Sequence, residues 1–316
     1  MIQHANFTVT SREAGQRLDA ALHACFPNSS RAFCCRAVEA GHVSVNGRPS
    51  IKGYKLRLGD EVAVERLKET SDNRVRGDAS VPVRIIFEDD SLLAVNKPAG
   101  LPVHPLTSEE TGTLMNGLVA RYPQIAVLGD QPLMAGALHR IDTDTSGLVL
   151  VALTSDAFEA LRAQFSAQTV DKTYLALVEG HVAVAGHLVH DLAHHPTLSH
   201  CKMVDADSLA EPGRRLHAET AYRPLEIVGP YTLLRVTIRT GVTHQIRSQL
   251  ALNGFPIVND VLYGARAIKG CARHFLHAFE VRFQHPISGQ AVCLQAPLTD
   301  DFQAFLAAAS PAGSSR

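Results

Sequence analysis

His139-Arg140-Ile141-Asp142-Thr143-Asp144-Thr145-Ser146-Gly147 is the stretch on which the reading of this chain turns. It lies between two apolar runs, residues 133–138 and 148–153. The second, Leu148-Val149-Leu150-Val151-Ala152-Leu153, reads as a buried strand. A Thr/Ser/Gly turn between such runs sits on a loop held by rigid elements, where reactive side chains are usually found. Asp142 is the candidate nucleophile, with Arg140 as a nearby cation. The same wording would also suit a plain polar turn whose aspartate caps a helix or closes a hairpin.

Three further segments carry chemistry. Asn96-Lys97-Pro98-Ala99-Gly100-Leu101-Pro102-Val103-His104-Pro105 is a Pro/Gly-rich loop after an apolar strand at 92–95. Lys172-Thr173-Tyr174-Leu175-Ala176-Leu177-Val178-Glu179-Gly180 reads as a strand with Tyr174 on one face. Thr240-Gly241-Val242-Thr243-His244-Gln245-Ile246-Arg247 leads into a helix through Leu252, and residues 254–264 follow it. Together with residues 139–147, these resemble the HRLDxxTSG, NKPxGxxVHP, KxYxAxVxG, TGRTHQIR and GHPIVGDxLYG motifs of the RluA-type pseudouridine synthases. Ile141 stands where Leu is usual, and Val242 where Arg is usual. The resemblance runs from about residue 85 to 305, in the family's order, with closing segments at His277-Ala278, His285-Pro286 and Ala296-Pro297-Leu298.

The resemblance implies a catalytic Asp142, an Arg247 paired with it, a Tyr174 against the target uracil, and an Arg140 that fills the gap left by an extruded base. His139 is grouped with Arg140 among the RNA contacts. An arginine beside Asp142 would keep it ionised and oriented. An aromatic ring suits an unpaired base, since such stacking contributes about 1–3 kcal/mol.

Composition sets the frame. The chain has 316 residues, 46% apolar and 19% charged, enough for two domains of ordinary globular composition. No apolar run approaches the roughly 18 residues of a membrane span, and residues 1–6 lack the regions of a signal peptide. A cytoplasmic protein without membrane contact is expected. Six cysteines without CxxC spacing point to free thiols. His190, His194, His195, His200 and Cys201 match no familiar ligand spacing, so that run is read as a polar loop, with no metal and no cofactor expected. Net charge is −1, yet residues 1–68 hold ten Lys/Arg against six Asp/Glu, a local excess of +4. Phosphate attraction acts over about a Debye length, so this local excess outweighs the total.

Within residues 1–68, helical spacing at Leu18, Ala21, Leu22 and Phe26 stops at Pro27, and Ser29-Ser30 can cap a second helix from Arg31. Residues 41–47 alternate and end in Asn46-Gly47, a hairpin signal. Helix–helix–hairpin with basic residues resembles the alpha-L RNA-binding module, which implicates Arg31 and Arg36 in RNA contact. The expected division is a module at 7–68, a linker at 69–82 rich in Ser, Asp, Asn, Arg and Gly, and a catalytic domain at 83–310. Helices are expected at 113–121, 156–168 and 300–309 among strands. The fold class is α+β: a largely antiparallel mixed sheet flanked by helices, plus a small N-terminal α/β RNA-binding domain.

The expected activity is conversion of selected uridines in structured RNA to pseudouridine, on ribosomal rather than transfer RNA, by a monomer. The sequence does not choose whether Asp142 attacks C1′, adds to C6, or takes a sugar proton. One rival is a glycosidic hydrolase using Asp142 and Asp144 as an acid/base pair. The other is a noncatalytic RNA-binding or assembly factor on the same scaffold, favoured only by Val242.

Overall fold

The computed structural model describes residues 1–198, 202–211 and 213–310. The backbone divides into two units, Met1–Arg74 with Thr107–Glu109, and Val75–Leu106 with the chain from Glu110 on.

In the first unit β1 (Ile2–Thr8), α1 (Leu18–Cys25), α2 (Arg31–Glu39), β2 (Val43–Val45), β3 (Arg48–Pro49) and β4 (Glu61–Leu67) follow in order. The strands form an antiparallel sheet, β1-β4-β2-β3. Ser30 caps α2 by accepting from the Phe33 N–H at 3.3 Å. Leu18, Leu22, Phe33 and Val38 of the helices pack with Val43, Val62 and Val64 of the sheet. The expected start at residue 7 falls inside β1, which pairs from Ile2 with β4. Its sequence, IQHANFT, is mostly polar and carries no strand alternation strong enough to read.

The second unit holds β5 (Ile85–Glu88), β6 (Leu92–Lys97), α3 (Leu114–Arg121), β7 (Ser146–Ala152), α4 (Ser155–Ser166) and β8 (Asp171–Glu179). Then come β9 (Gly186–His194), β10 (Met203–Asp205), β11 (Leu216–Val228), β12 (Tyr231–Ile238), α5 (Gln245–Leu252), β13 (Leu276–Gln284), β14 (Ala291–Gln295) and α6 (Asp300–Ala309). Its sheet runs β10-β9-β11-β12-β8-β13-β7-β6-β5, with β14 on β13. Only β7 and β13 pair in parallel; the other pairs described are antiparallel. This is the α+β architecture expected.

The apolar run at 148–153 has a structural cause. Val149 and Val151 of β7 face one core cluster, and Leu148 and Leu150 face another. A strand covered on both faces reads as continuous rather than alternating. Gly147 lets β7 lie against β13. Its φ is +113°, and a Cβ there would stand 2.2 Å from the Ala278 carbonyl oxygen, an overlap no side chain could relieve.

One expectation is sharpened and one corrected. The linker expected at 69–82 contains the boundary between the two units, after Arg74, and has local structure of its own. Thr70–Asp72 is a 3₁₀ turn, and Val75 is buried in the main core cluster of the second unit. Asn116 donates to the Arg76 carbonyl at 2.7 Å, and Gly77 lies so close to α3 that a Cβ would meet Ala120 Cα at 2.9 Å. Backbone contacts of this kind leave no apolar period to detect. The histidine-rich run is no simple loop. His190 and His194 lie on β9, and His190 Nδ1 meets Gln249 Nε2 at 3.1 Å. His195 follows the strand and accepts from the Thr197 N–H at 3.2 Å, while His200 and Cys201 lie outside the described residues.

Candidate active site

Asp142 sits in the turn that feeds β7, Tyr174 on β8, and Arg247 in the first turn of α5. The three side chains line one cavity of about 800 Å³. Arg247 Nη1 donates to Asp142 Oδ2 at 2.9 Å. Its other edge is bound bidentately to Asp260, Nε to Oδ2 at 2.7 Å and Nη2 to Oδ1 at 2.9 Å. Asp260 is 2% exposed, so the guanidinium is held from behind while it holds Asp142 in front.

The turn is locked by its neighbours. Lys97, fully buried, donates through Nζ to the carbonyls of Pro98, Leu101 and Thr143 at 2.8, 2.7 and 2.8 Å. The Gly100 N–H also donates to Thr143 at 2.9 Å. Thr145 Oγ1 meets His274 Nε2 at 3.0 Å, and Ser146 Oγ meets His277 Nδ1 at 2.8 Å. On the α5 side, Gln245 accepts from Thr240 Oγ1 and the Val242 N–H, and donates to the Glu219 carbonyl at 2.8 Å. His244 takes the left-handed conformation, φ 52°, uncommon outside glycine, and this places its ring toward Asp142. His244 Nε2 lies 3.7 Å from Asp142 Oδ2, and its Nδ1 3.0 Å from the Tyr263 hydroxyl, which accepts from the Met203 N–H at 2.9 Å.

Burial alone would raise the Asp142 carboxyl, but His244, Arg247 and the Arg247 hydrogen bond reverse this and hold it below its usual 3.8. Burial drives His244 itself below its ordinary value. At neutral pH the charge acting on Asp142 is therefore the guanidinium. Burial, with the Asp142 charge, pushes the Tyr174 phenol up, so it stays protonated and is no resting base. Burial also lowers Lys97 to about 7, opposed by Asp142 and Asp144.

The sequence pattern of the family described as RNA pseudouridylate synthase matches residues 91–252. That of the S4 domain matches residues 16–62. The ribosomal large subunit pseudouridine synthase D of Xanthomonas campestris pv. campestris is 36% identical over 95% of this chain and 91% of its own length. The protein of the same name from Nitrosomonas europaea is 36% identical, covering 95% of this chain and 86% of its own length. The chain belongs to the RNA pseudouridylate synthase family. Human RNA pseudouridylate synthase domain containing 1 shares the fold, with a TM-score of 0.58 at 24% identity over 73% of this chain and 90% of its own. This family member is thus an RNA pseudouridine synthase with an N-terminal S4 RNA-binding domain, and RNA is its partner.

The remaining expected site residues scatter in role. Arg140 is exposed at the cavity, with Nη2 3.4 Å from Thr243 Oγ1. His139 has its Nε2 accepting from the Leu150 N–H at 3.1 Å, and its ring stacks on Phe165 at 5.2 Å. Burial holds it neutral, at about 3, so it offers RNA no cation. Arg31 and Arg36 lie on α2 of the first unit; Arg31 pairs with Asp19, and Arg36 covers the Phe33 ring at 4.8 Å. Asp144 is exposed and does not line the cavity, which leaves the hydrolase rival without its second carboxylate. Val242 packs against Leu192, Met203 and Ala218, an apolar seat that accounts for the missing arginine. Asp260, His244, Tyr263 and Lys97 were not singled out from sequence. The signal for Asp260 was available: an aspartate inside an apolar segment needs a cation, and Arg247 precedes it by 13 residues.

Among the described residues, no helix is long and apolar enough to cross a membrane.

Proposed function

We propose that Asp142 is the nucleophile of uridine-to-pseudouridine isomerisation, on large-subunit ribosomal RNA. The observation that carries this reading is Arg247 spanning Asp260 and Asp142 at the wall of the cavity that also holds Tyr174. Asp142 Oδ2 takes the Arg247 hydrogen bond and faces His244, leaving Oδ1 as the oxygen for the reacting carbon. The Met203 N–H occupies Tyr263 as an acceptor, so the phenol proton goes to His244 Nδ1. The imidazole then carries its hydrogen on Nε2, facing Asp142. Neutral Tyr174 acts as the apolar wall against which uracil stacks.

The reaction breaks N1–C1′, turns the uracil, joins C5 to C1′, and transfers one proton from C5 to N1. Mass and oxidation state are unchanged, so no cofactor is invoked. A base in a helix cannot reach the cavity, so the target is extruded, and Arg140 at the rim fills its place. Ribosomal RNA is favoured over transfer RNA by the names of the two relatives and by the basic first unit. The protein acts in the cytoplasm, as a monomer. Site-resolved pseudouridine mapping of total RNA with and without this protein tests the substrate. Loss confined to one or a few large-subunit positions is expected; loss only from transfer RNA would overturn that assignment.

A further inference from the structure

We propose that Arg17 and Arg31 form a preorganised site for one RNA backbone phosphate, with Asp19 as the positioning residue that aims both guanidinium groups outward. The proposal rests on the S4 unit contacting RNA. The Asp19 side chain is 3% exposed, against 49% for Arg17 and 56% for Arg31. Arg17 Nε donates to Asp19 Oδ1 at 2.9 Å, and Arg31 donates through Nε to Oδ2 at 3.0 Å, with its Nη2 equally close. The Cys35 thiol points at the same Oδ2, 3.6 Å away. A Cβ built on Gly53 would stand 3.8 Å from Arg17 Cζ, so the loop before Lys55 packs on the guanidinium.

Each arginine therefore spends its inner edge on one buried carboxylate. The Arg17 terminal nitrogens and Arg31 Nη1 have no acceptor among the described residues. Burial opposes ionisation of Asp19, and the Arg17 and Arg31 hydrogen bonds outweigh it, holding the carboxyl below its ordinary value. Two cations on one carboxylate leave a surplus positive charge at the surface. Planar donor forks suit phosphate oxygens, and fixing them beforehand removes ordering cost from binding.

Simple electrostatics predicts that deleting a negative charge near phosphate tightens binding. The preorganised site predicts the reverse. The test is binding of the full-length protein to a transcript of a large-subunit rRNA domain across a salt series. Asp19→Asn is expected to weaken binding about five- to tenfold through lost preorganisation. It should also flatten the salt slope by about one phosphate contact. In an Arg17→Ala/Arg31→Ala background it should do neither. Unchanged or tighter binding by folded Asp19→Asn overturns the proposal. Should that variant fail to fold, Asp19→Glu keeps the charge but moves the carboxylate by one methylene, and unchanged affinity there overturns it equally. If Arg17→Ala/Arg31→Ala itself binds like the parent, the RNA-contact reading beneath the proposal falls too, which separates the two failures.

Discussion

In the first unit one buried carboxylate, Asp19, holds two exposed arginines; in the catalytic unit one buried arginine, Arg247, holds two carboxylates, Asp142 and Asp260. The chemistry of the pairs is the same and the geometry is inverted. Around Asp19 the cations face solvent, where a phosphate can reach them. Around Arg247 the cation is 9% exposed and one carboxylate, Asp142, is left in a cavity with an oxygen to spare. Which member of the pair is buried decides whether the cluster binds an anion or presents one.

Breaking the buried arginine should do the most damage. Arg247→Met leaves Asp142 and Asp260 buried without their cation, at a cost of about 3–5 kcal/mol in stability, readable by denaturant melts. Loss of the oriented charge should lower kcat/KM by about 10²–10³ in single-turnover assays. The same variant moves the Asp142 titration upward. In the parent the folded pKa lies below 3.8, so the pair contributes stability above that value and loses it as pH falls through the folded pKa. Without the guanidinium the carboxyl loses the Arg247 charge and hydrogen bond but keeps His244, so its pKa rises from the parent's value. The residual activity should then fall on acidification at a higher pH than the parent's. An unmoved acid limb would show that Arg247 does not set the charge on Asp142.

Asp260→Asn asks less of the protein. Arg247 remains, but its rear clamp is weakened, and a misplacement of about 1 Å is enough to cost roughly 10²-fold in rate. The loss should fall on kcat with RNA affinity unchanged; equal activity would mean Asp260 serves stability alone. Lys97→Met removes an ammonium that ties Thr143 to Pro98 and Leu101. Leaving those carbonyls unpaired should cost about 1–3 kcal/mol. Smallest of all is Val242→Arg. Val242 is half-buried, lines the same cavity as Asp142 and packs on Leu192, Met203 and Ala218, so a cation there should cost about 1 kcal/mol in stability while the Asp142–Arg247 contact persists. A large gain in rate would instead mark Val242 as a functional loss.

Much of this was legible in the residues. The continuous apolar run of β7, the Ser30 cap and the Asp142 turn are local signals, set by side chains acting within a few positions of one another. What escaped was nonlocal. Lys97 looked like part of a Pro/Gly loop because its three acceptors are backbone carbonyls, one of them 46 residues on. Asp260 acquires meaning only when α5 and the following segment fold together. The 75–81 stretch packs through backbone and glycine contacts, which leave no periodic trace. His139 reads as an RNA contact beside Arg140, yet burial against Phe165 makes it a neutral acceptor.

The central claim is that the ionised Asp142 carboxylate performs the isomerisation, and Asp142→Asn tests it most directly. The exchange keeps the size of the side chain and a carbonyl oxygen for Arg247 while removing the nucleophilic charge. Single-turnover conversion of a large-subunit rRNA transcript, read by site-resolved pseudouridine mapping, should fall by at least about 10⁴-fold, as for loss of other covalent nucleophiles. RNA affinity should hold within a few-fold. Pseudouridine formed at a rate near the parent's by a folded Asp142→Asn protein would contradict the account.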